Sequence, residues 1–171
     1  IYNFFINNAL IDQYQPELNY KSNKNVLDRW LISKLNNLIA KVTIDLEKFD
    51  AFSATSKIEL FINDFSTWYV RRSRDRVGSA VENQTDKIDC YNTFYKTLVT
   101  LCYLLAPFMP FLSEEMFKNL TDKESVHLED WPKANQKLIN DDLEKQMDQV
   151  KKICEMGHAK RNECQIKVRQ P

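Results

Sequence analysis

Four arginines, Arg71, Arg72, Arg74 and Arg76, fall within six residues, directly after a run carrying Phe65, Trp68 and Tyr69. A guanidinium is a planar, permanently charged fork that matches phosphate oxygens and stacks on flat rings. An aromatic-to-arginine transition at the end of a helix is therefore a place for contact with a polyanion. The competing reading is a solvated helix terminus, where the macrodipole favours cations.

Other reactive side chains form no convergent set. Glu114 and Glu115 could do acid–base chemistry, but as neighbours in a first helical turn they read as dipole and solubility residues. His127 has no visible partner and reads as a surface or core histidine. Cys154 and His158 stand one helical turn apart with Cys164 beyond, yet no Cys-x-x-Cys and no fourth partner completes a zinc spacing. Cys90 and Cys102 complete the four cysteines, which read as free thiols in a reducing compartment, the cytoplasm. No glycine-rich phosphate loop or nucleophile elbow is present. Neither a catalytic nor a metal site is therefore expected.

Formal charge is zero, 24 basic against 24 acidic residues, so no bulk field draws the chain to nucleic acid. The distribution is uneven. Residues 66–78 carry a net +3, residues 151–171 a net +4 and residues 110–148 a net −5. Two basic islands, the second including Lys160, Arg161, Lys167 and Arg169, would make a localised polyanion site if the fold joins them.

These groups must be positioned by helices. Only two glycines occur in 171 residues, which disfavours the hairpins of a sheet protein. Residues 2–14 read as a first helix, with Asn3, Asn7 and Asn8 as its polar groups; Pro16 ends it, and residues 17–24 read as a polar loop. Asn25 reads as an N-cap for a long helix whose stripe is Leu27, Trp30, Leu31, Leu35, Leu38, Val42, Leu46 and Phe49. Asp50 caps a third, with Ala54, Ile58, Phe61, Ile62, Phe65, Trp68 and Tyr69 inward. Thr85 or Asp86 caps a fourth, carrying Ile88, Tyr91, Phe94, Tyr95, Leu98, Leu101, Cys102 and Leu105. Pro107 and Pro110 break the chain, and Ser113 opens a fifth helix with Met116, Phe117 and Leu120. A connector tucks Val126, Leu128 and Trp131 onto the bundle. A last helix runs from Asp141 to a stop at Gly157, and 166–169 alternates like the start of a strand. The fold class is all-α, an antiparallel bundle of about six helices. No run approaches the roughly 20 apolar residues of a membrane span. An opening on Ile1 without a basic leader, and an ending at Pro171, read as an excerpt from a longer protein.

Three stretches resemble a known family: 25–31 (Asn-Val-Leu-Asp-Arg-Trp-Leu), 68–74 (Trp-Tyr-Val-Arg-Arg-Ser-Arg) and 105–115 (Leu-Ala-Pro-Phe-Met-Pro-Phe-Leu-Ser-Glu-Glu). They look like the anticodon-binding domain of class I aminoacyl-tRNA synthetases, a group that includes the isoleucine, valine, leucine and methionine enzymes. Residues 125–132 and 167–171 resemble the isoleucine branch. The resemblance covers essentially the whole chain. It implies a helical-bundle domain over 1–160 and the start of a linker, 161–171, to a C-terminal module. It implies a parent ligase that uses ATP and Mg outside this stretch, whose His-x-Gly-His and Lys-Met-Ser-Lys-Ser signatures are absent here. The implied partners are tRNA(Ile) and the catalytic and C-terminal domains of the same chain, in a monomeric cytoplasmic enzyme. Implied tRNA contacts are Arg71, Arg72, Arg74 and Arg76, with Asn7, Asn8, Lys160 and Arg161; the methionine enzyme uses an Asn on its first helix to read the anticodon. The alternatives are the valine or leucine enzyme, or a helical protein-interaction scaffold with no RNA role.

Overall fold

In the computed structural model, which describes residues 1–16, 24–78 and 81–167, the apolar stripes become helices and no strand forms among those residues. Helix α1 is Tyr2–Ile11, α2 Val26–Glu47, α3 Ala51–Asp64, α4 Gln84–Leu105, α5 Pro110–Leu120 and α6 Asp141–Glu163. The chain divides into two compact units, Ile1–Ile139 with α1 to α5 and Asn140–Pro171 with α6. Helix α6 belongs wholly to the second unit.

The long antiparallel pair α2 and α3 is started by its caps. Asn25 Oδ1 accepts from the Leu27 N–H at 3.0 Å, and Asp50 Oδ1 from the Ser53 N–H at 2.9 Å, each satisfying a donor the helix cannot. Trp30, Leu31, Leu35 and Val42 are buried along α2, and Ala54, Ile58 and Phe61 along α3. Ion pairs Lys34–Asp64 and Lys57–Asp45 set the antiparallel register. Phe94 of α4 is the hub of the core. Its ring lies 5.7 Å from Phe4 and 6.1 Å from Phe5 of α1, and 5.5 Å from Phe65 and 5.1 Å from Tyr69 beyond α3. Such tilted, edge-on and stacked contacts join three elements through one side chain.

Several expectations are corrected. Helix α1 stops at Ile11, where Gln13 takes φ +50°. Phe49 is not on the α2 stripe: the helix ends at Glu47 and Phe49 occupies the left-handed position after it, φ +58°, with its ring in solvent. Asn83, rather than Thr85 or Asp86, caps α4, its Oδ1 accepting from the Asp86 N–H at 3.1 Å. Pro110 opens α5 as its first residue, three positions before Ser113, since a missing N–H costs nothing there. Ile88 and Leu128 are exposed, so the apolar pattern overcounted the core at both places. Gly157 does not stop α6, which continues to Glu163; the left-handed residue after that helix is Gln165, φ +56°. The expected strand start at 166–169 lies partly outside the described residues, as does most of the expected loop at 17–24.

Candidate nucleic-acid interface

Beyond Asp64 the α3 rod changes pitch. Phe65–Val70 is π-helical, Arg71–Ser73 is one α-turn and Arg74–Arg76 one 3₁₀ turn. A π segment widens the helix by an extra residue per turn. Trp68, Tyr69 and Val70 are all buried along it. The next residues then face outward. Arg71, Arg72 and Arg74 are exposed, while Ser73 and Val77 are buried and pin the segment down. The guanidinium carbon of Arg72 lies 3.0 Å from the Trp68 ring centre, a cation–π contact that fixes its plane.

Arg76 is the correction. Its Nη1 and Nη2 donate to the two carboxylate oxygens of Asp28 at 2.7 Å each, and its Nε and Nη2 to Asp86 at 2.8 Å. Asp28 is fully buried and also accepts from the Tyr69 hydroxyl at 2.6 Å. Asp86 further accepts from Asn25 Nδ2 at 3.2 Å. Burial opposes the charge on Arg76, but the bonds to both aspartates outweigh it and hold the guanidinium protonated. The bond from Arg76 holds the Asp86 carboxyl below its ordinary range. Within this cluster one cation meets two anions, so the charge of Arg76 is already compensated inside the fold. It locks the arginine segment to the starts of α2 and α4.

A second lock ties the same segment to α1. Gly78, at φ +111°, donates its N–H to Asp12 Oδ2 at 3.2 Å, and its carbonyl accepts from Lys87 Nζ at 2.8 Å. Lys87 also pairs with Asp12 Oδ1 at 2.8 Å, and the Tyr91 hydroxyl donates to Asp12. Burial would raise the Asp12 pKa; these donors overcome it and lower it. The result is that Asn8 sits beside the arginine segment: a Cβ placed on Gly78 would lie 4.0 Å from Asn8 Oδ1. Asn8 donates its Nδ2 to the Phe4 carbonyl at 2.8 Å, and Asn7 is exposed on the neighbouring face. Between the end of α1 and the start of α4 runs a cleft lined by Asp12, Gln13, Tyr14, Gln84, Lys87 and Tyr91.

Of the expected contacts, Arg71, Arg72, Arg74 and Asn8 thus share one end of the first unit, with Asn7 one residue away. Lys160 and Arg161 belong to the second unit. There Lys160 pairs with Glu163 at 2.9 Å and Arg161 donates to the Lys167 carbonyl at 3.2 Å, closing the end of α6. Arg169 lies outside the described residues. Arg29, exposed in the first turn of α2 next to Asp28, is a further cation at the arginine end that the sequence reading did not single out. Its signal was its place beside an aspartate that the arginine run needs.

Of the other reactive groups, Glu114 and two buried cysteines are structural. Glu114 accepts from the Ser125 hydroxyl at 3.0 Å and the Val126 N–H at 2.9 Å and pairs with Lys118 at 2.9 Å, so it fastens the connector to α5. Burial pushes the Cys90 and Cys102 thiols up to about 12, which keeps both protonated and inert. Among the described residues no three His, Cys, Asp or Glu side chains cluster to hold a metal, and no helix is long and apolar enough to cross a membrane.

The chain is similar to known proteins over its whole length. Isoleucine--tRNA ligase of Clostridium tetani is 43% identical over 179 residues, covering 100% of this chain and 17% of the relative. The enzyme of the same name from Dehalococcoides mccartyi (strain CBDB1) is 42% identical over 178 residues, with 100% and 18% covered. Isoleucine--tRNA ligase 2 of Bacillus cereus is 38% identical over 171 residues, with 100% and 16% covered. The chain thus spans about one sixth of the length of these relatives. A crystal structure of the ternary complex of Agrobacterium radiobacter K84 agnB2 LeuRS with tRNA and LeuAMS superposes with a TM-score of 0.58 at 26% identity, covering 81% of this chain and 16% of that one. Residues 28–171 match the family described as the anticodon-binding domain of tRNA ligase, and the chain belongs to that family.

Proposed function

We propose that this chain is the part of an isoleucine--tRNA ligase that holds the anticodon stem-loop of tRNA(Ile), so that the acceptor end reaches a catalytic centre elsewhere in the polypeptide. The observation that carries this reading is the rim of Arg71, Arg72 and Arg74. Three exposed guanidiniums stand on a helix end that Arg76 and Gly78 lock from two sides, beside the amide of Asn8. Anticodon loops present unstacked bases and a bent phosphate backbone, read by hydrogen bonding and stacking rather than through a groove. The guanidiniums would neutralise phosphates, and Asn7 and Asn8 would meet base edges. Lys160, Arg161 and Lys167 would form a second contact or a hinge toward a following module. The isoleucine branch, rather than valine or leucine, is supported by the names of the relatives. The parent reaction would use ATP and Mg, held by a catalytic domain elsewhere in the polypeptide. The parent enzyme would work as a cytoplasmic monomer.

The test is tRNA(Ile) binding measured across a salt series. Three phosphate contacts give a log–log slope of about −2 for a single-stranded type of site. Replacing Arg71, Arg72 and Arg74 by Ala should flatten that slope toward zero while helicity is retained. A slope that survives the triple substitution would move the RNA site elsewhere.

A further inference from the structure

The cleft between the end of α1 and the start of α4 has a make-up that phosphate binding does not explain. Its charged members are committed to one another. Asp12 meets the Lys87 ammonium at 2.8 Å and accepts from the Gly78 N–H at 3.2 Å and from the Tyr91 hydroxyl. Lys87 Nζ reaches on to the Gly78 carbonyl at 2.8 Å. The Lys87 and Asp12 side chains are only 9% and 6% exposed. The pair is compensated and withdrawn from solvent, so the cleft presents no net cation to a phosphate.

What the cleft offers instead is flat, apolar and amide-bearing. Tyr14 stacks on Tyr91 with ring centres 5.0 Å apart, which makes an aromatic wall. Ile88, left 39% exposed by the core, supplies an apolar side. Gln13 and Gln84 also line it and are exposed. Gln84 Nε2 donates to the Val81 carbonyl at 2.8 Å, which fixes the plane of its carboxamide. Gln13 adds an independent sign. It holds φ +50°, the left-handed position after α1 that glycine suits best. A long side chain kept there at a cost in strain points to a use for it. The cavity, about 220 Å³, is smaller than the roughly 300–1,000 Å³ of pockets for drug-sized ligands and suits a single flat ring system.

We infer that this cleft takes one unstacked adenine of the bound RNA, read by the carboxamides of Gln13 and Gln84; the inference rests on the RNA reading above and adds a base site to it. Single-stranded loops offer their bases for stacking on aromatic side chains and for hydrogen bonds along their edges. A carboxamide matches adenine, its N–H donating to N7 while its carbonyl accepts from the 6-amino group. Guanine is matched by Arg or Lys and cytosine by a carboxylate. Lys87 and Asp12 are already paired, so the glutamines are left to read the base. The position agrees. Gly78 bonds to both Asp12 and Lys87 and stands two residues beyond Arg76, so the cleft adjoins the arginine segment. A nucleotide held by its phosphate at the rim would turn its base into the cleft.

The test uses the full-length ligase and tRNA(Ile) transcripts in which each adenine of the anticodon loop is replaced in turn by purine riboside, which lacks the 6-amino group. The wild type should bind one of these transcripts about tenfold more weakly than the unsubstituted tRNA, with its salt slope unchanged. Gln84→Leu should weaken binding of the unsubstituted tRNA about tenfold and lose nothing further with that transcript. Gln13→Gly removes the other carboxamide while relieving the positive φ, so its loss of binding would not be a loss of fold; urea midpoints check this. The inference is overturned if no loop adenine matters to the wild type. It is equally overturned if, for both variants, the losses from protein and RNA changes multiply or the protein change costs nothing. These outcomes leave the salt slope of the wild type intact. Failure of the RNA reading itself shows differently, as a slope that survives the triple arginine substitution.

Discussion

Replacing Arg76 by Met separates the structural arginine from the three on the rim. Asp28 has no exposed surface and takes both terminal nitrogens of Arg76 at 2.7 Å, with the Tyr69 hydroxyl as its other partner. Without Arg76 it is left as a buried carboxylate with one neutral donor. Asp86 keeps Asn25 and is 27% exposed, so it loses less. Removing one member of a buried ion pair costs about 3–5 kcal/mol, and Asp28 should put Arg76→Met within that range. For a chain of this length, that corresponds to a fall in melting temperature of about 6–20 °C. Urea unfolding of residues 1–171 gives the stability. Asp28→Leu combined with Arg76→Met should recover most of the loss, because no buried charge then remains. The salt slope of tRNA binding by the folded Arg76→Met variant should stay near −2, since none of the three proposed phosphate contacts is touched. The reasoning fails if Arg76→Met keeps full stability and instead lowers the slope by about 0.7, the signature of one lost phosphate contact.

Two further outcomes follow from the locks. Gly78→Ala should destabilise the fold by about 1–2 kcal/mol through its positive φ, although the nearest atom to the new methyl group would be 4.0 Å away; urea midpoints would show it. Asp12 and Asp86 both titrate below the ordinary carboxylate range in the folded chain. Each therefore contributes stability that is complete above the unfolded pKa near 4 and is lost as pH falls through the lower folded value. Stability measured from pH 6 down to pH 2 should fall more steeply in the wild type than in Asp12→Asn, whose carboxamide does not titrate.

Much of the bundle was legible because its cues are local. Asn25 and Asp50 cap the helices they precede, and Trp30, Leu31, Leu35 and Val42 repeat at helical spacing and are buried. Phe49 shows where periodicity misleads: it falls in register with the α2 stripe, but the helix has already ended two residues earlier. The rim was legible only in part. Arg71, Arg72, Arg74 and Arg76 look alike along the chain, and their roles diverge through partners that local sequence does not reveal. Asp28, 48 residues before Arg76, decides that Arg76 is interior. The π-helical stretch sets which arginines face outward, and propensity gives no sign of so small a change in pitch. Asn8 was set on the first helix, but its place beside Gly78 depends on Asp12 and Lys87, which carried no motif.

Footprinting of tRNA(Ile) by hydroxyl radicals on the full-length ligase tests the central claim most directly. The wild type should protect both the anticodon loop and the acceptor end; Arg71→Ala/Arg72→Ala/Arg74→Ala should lose protection at the anticodon loop and keep it at the acceptor end. Anticodon-loop protection that persists unchanged in the triple variant would contradict the account.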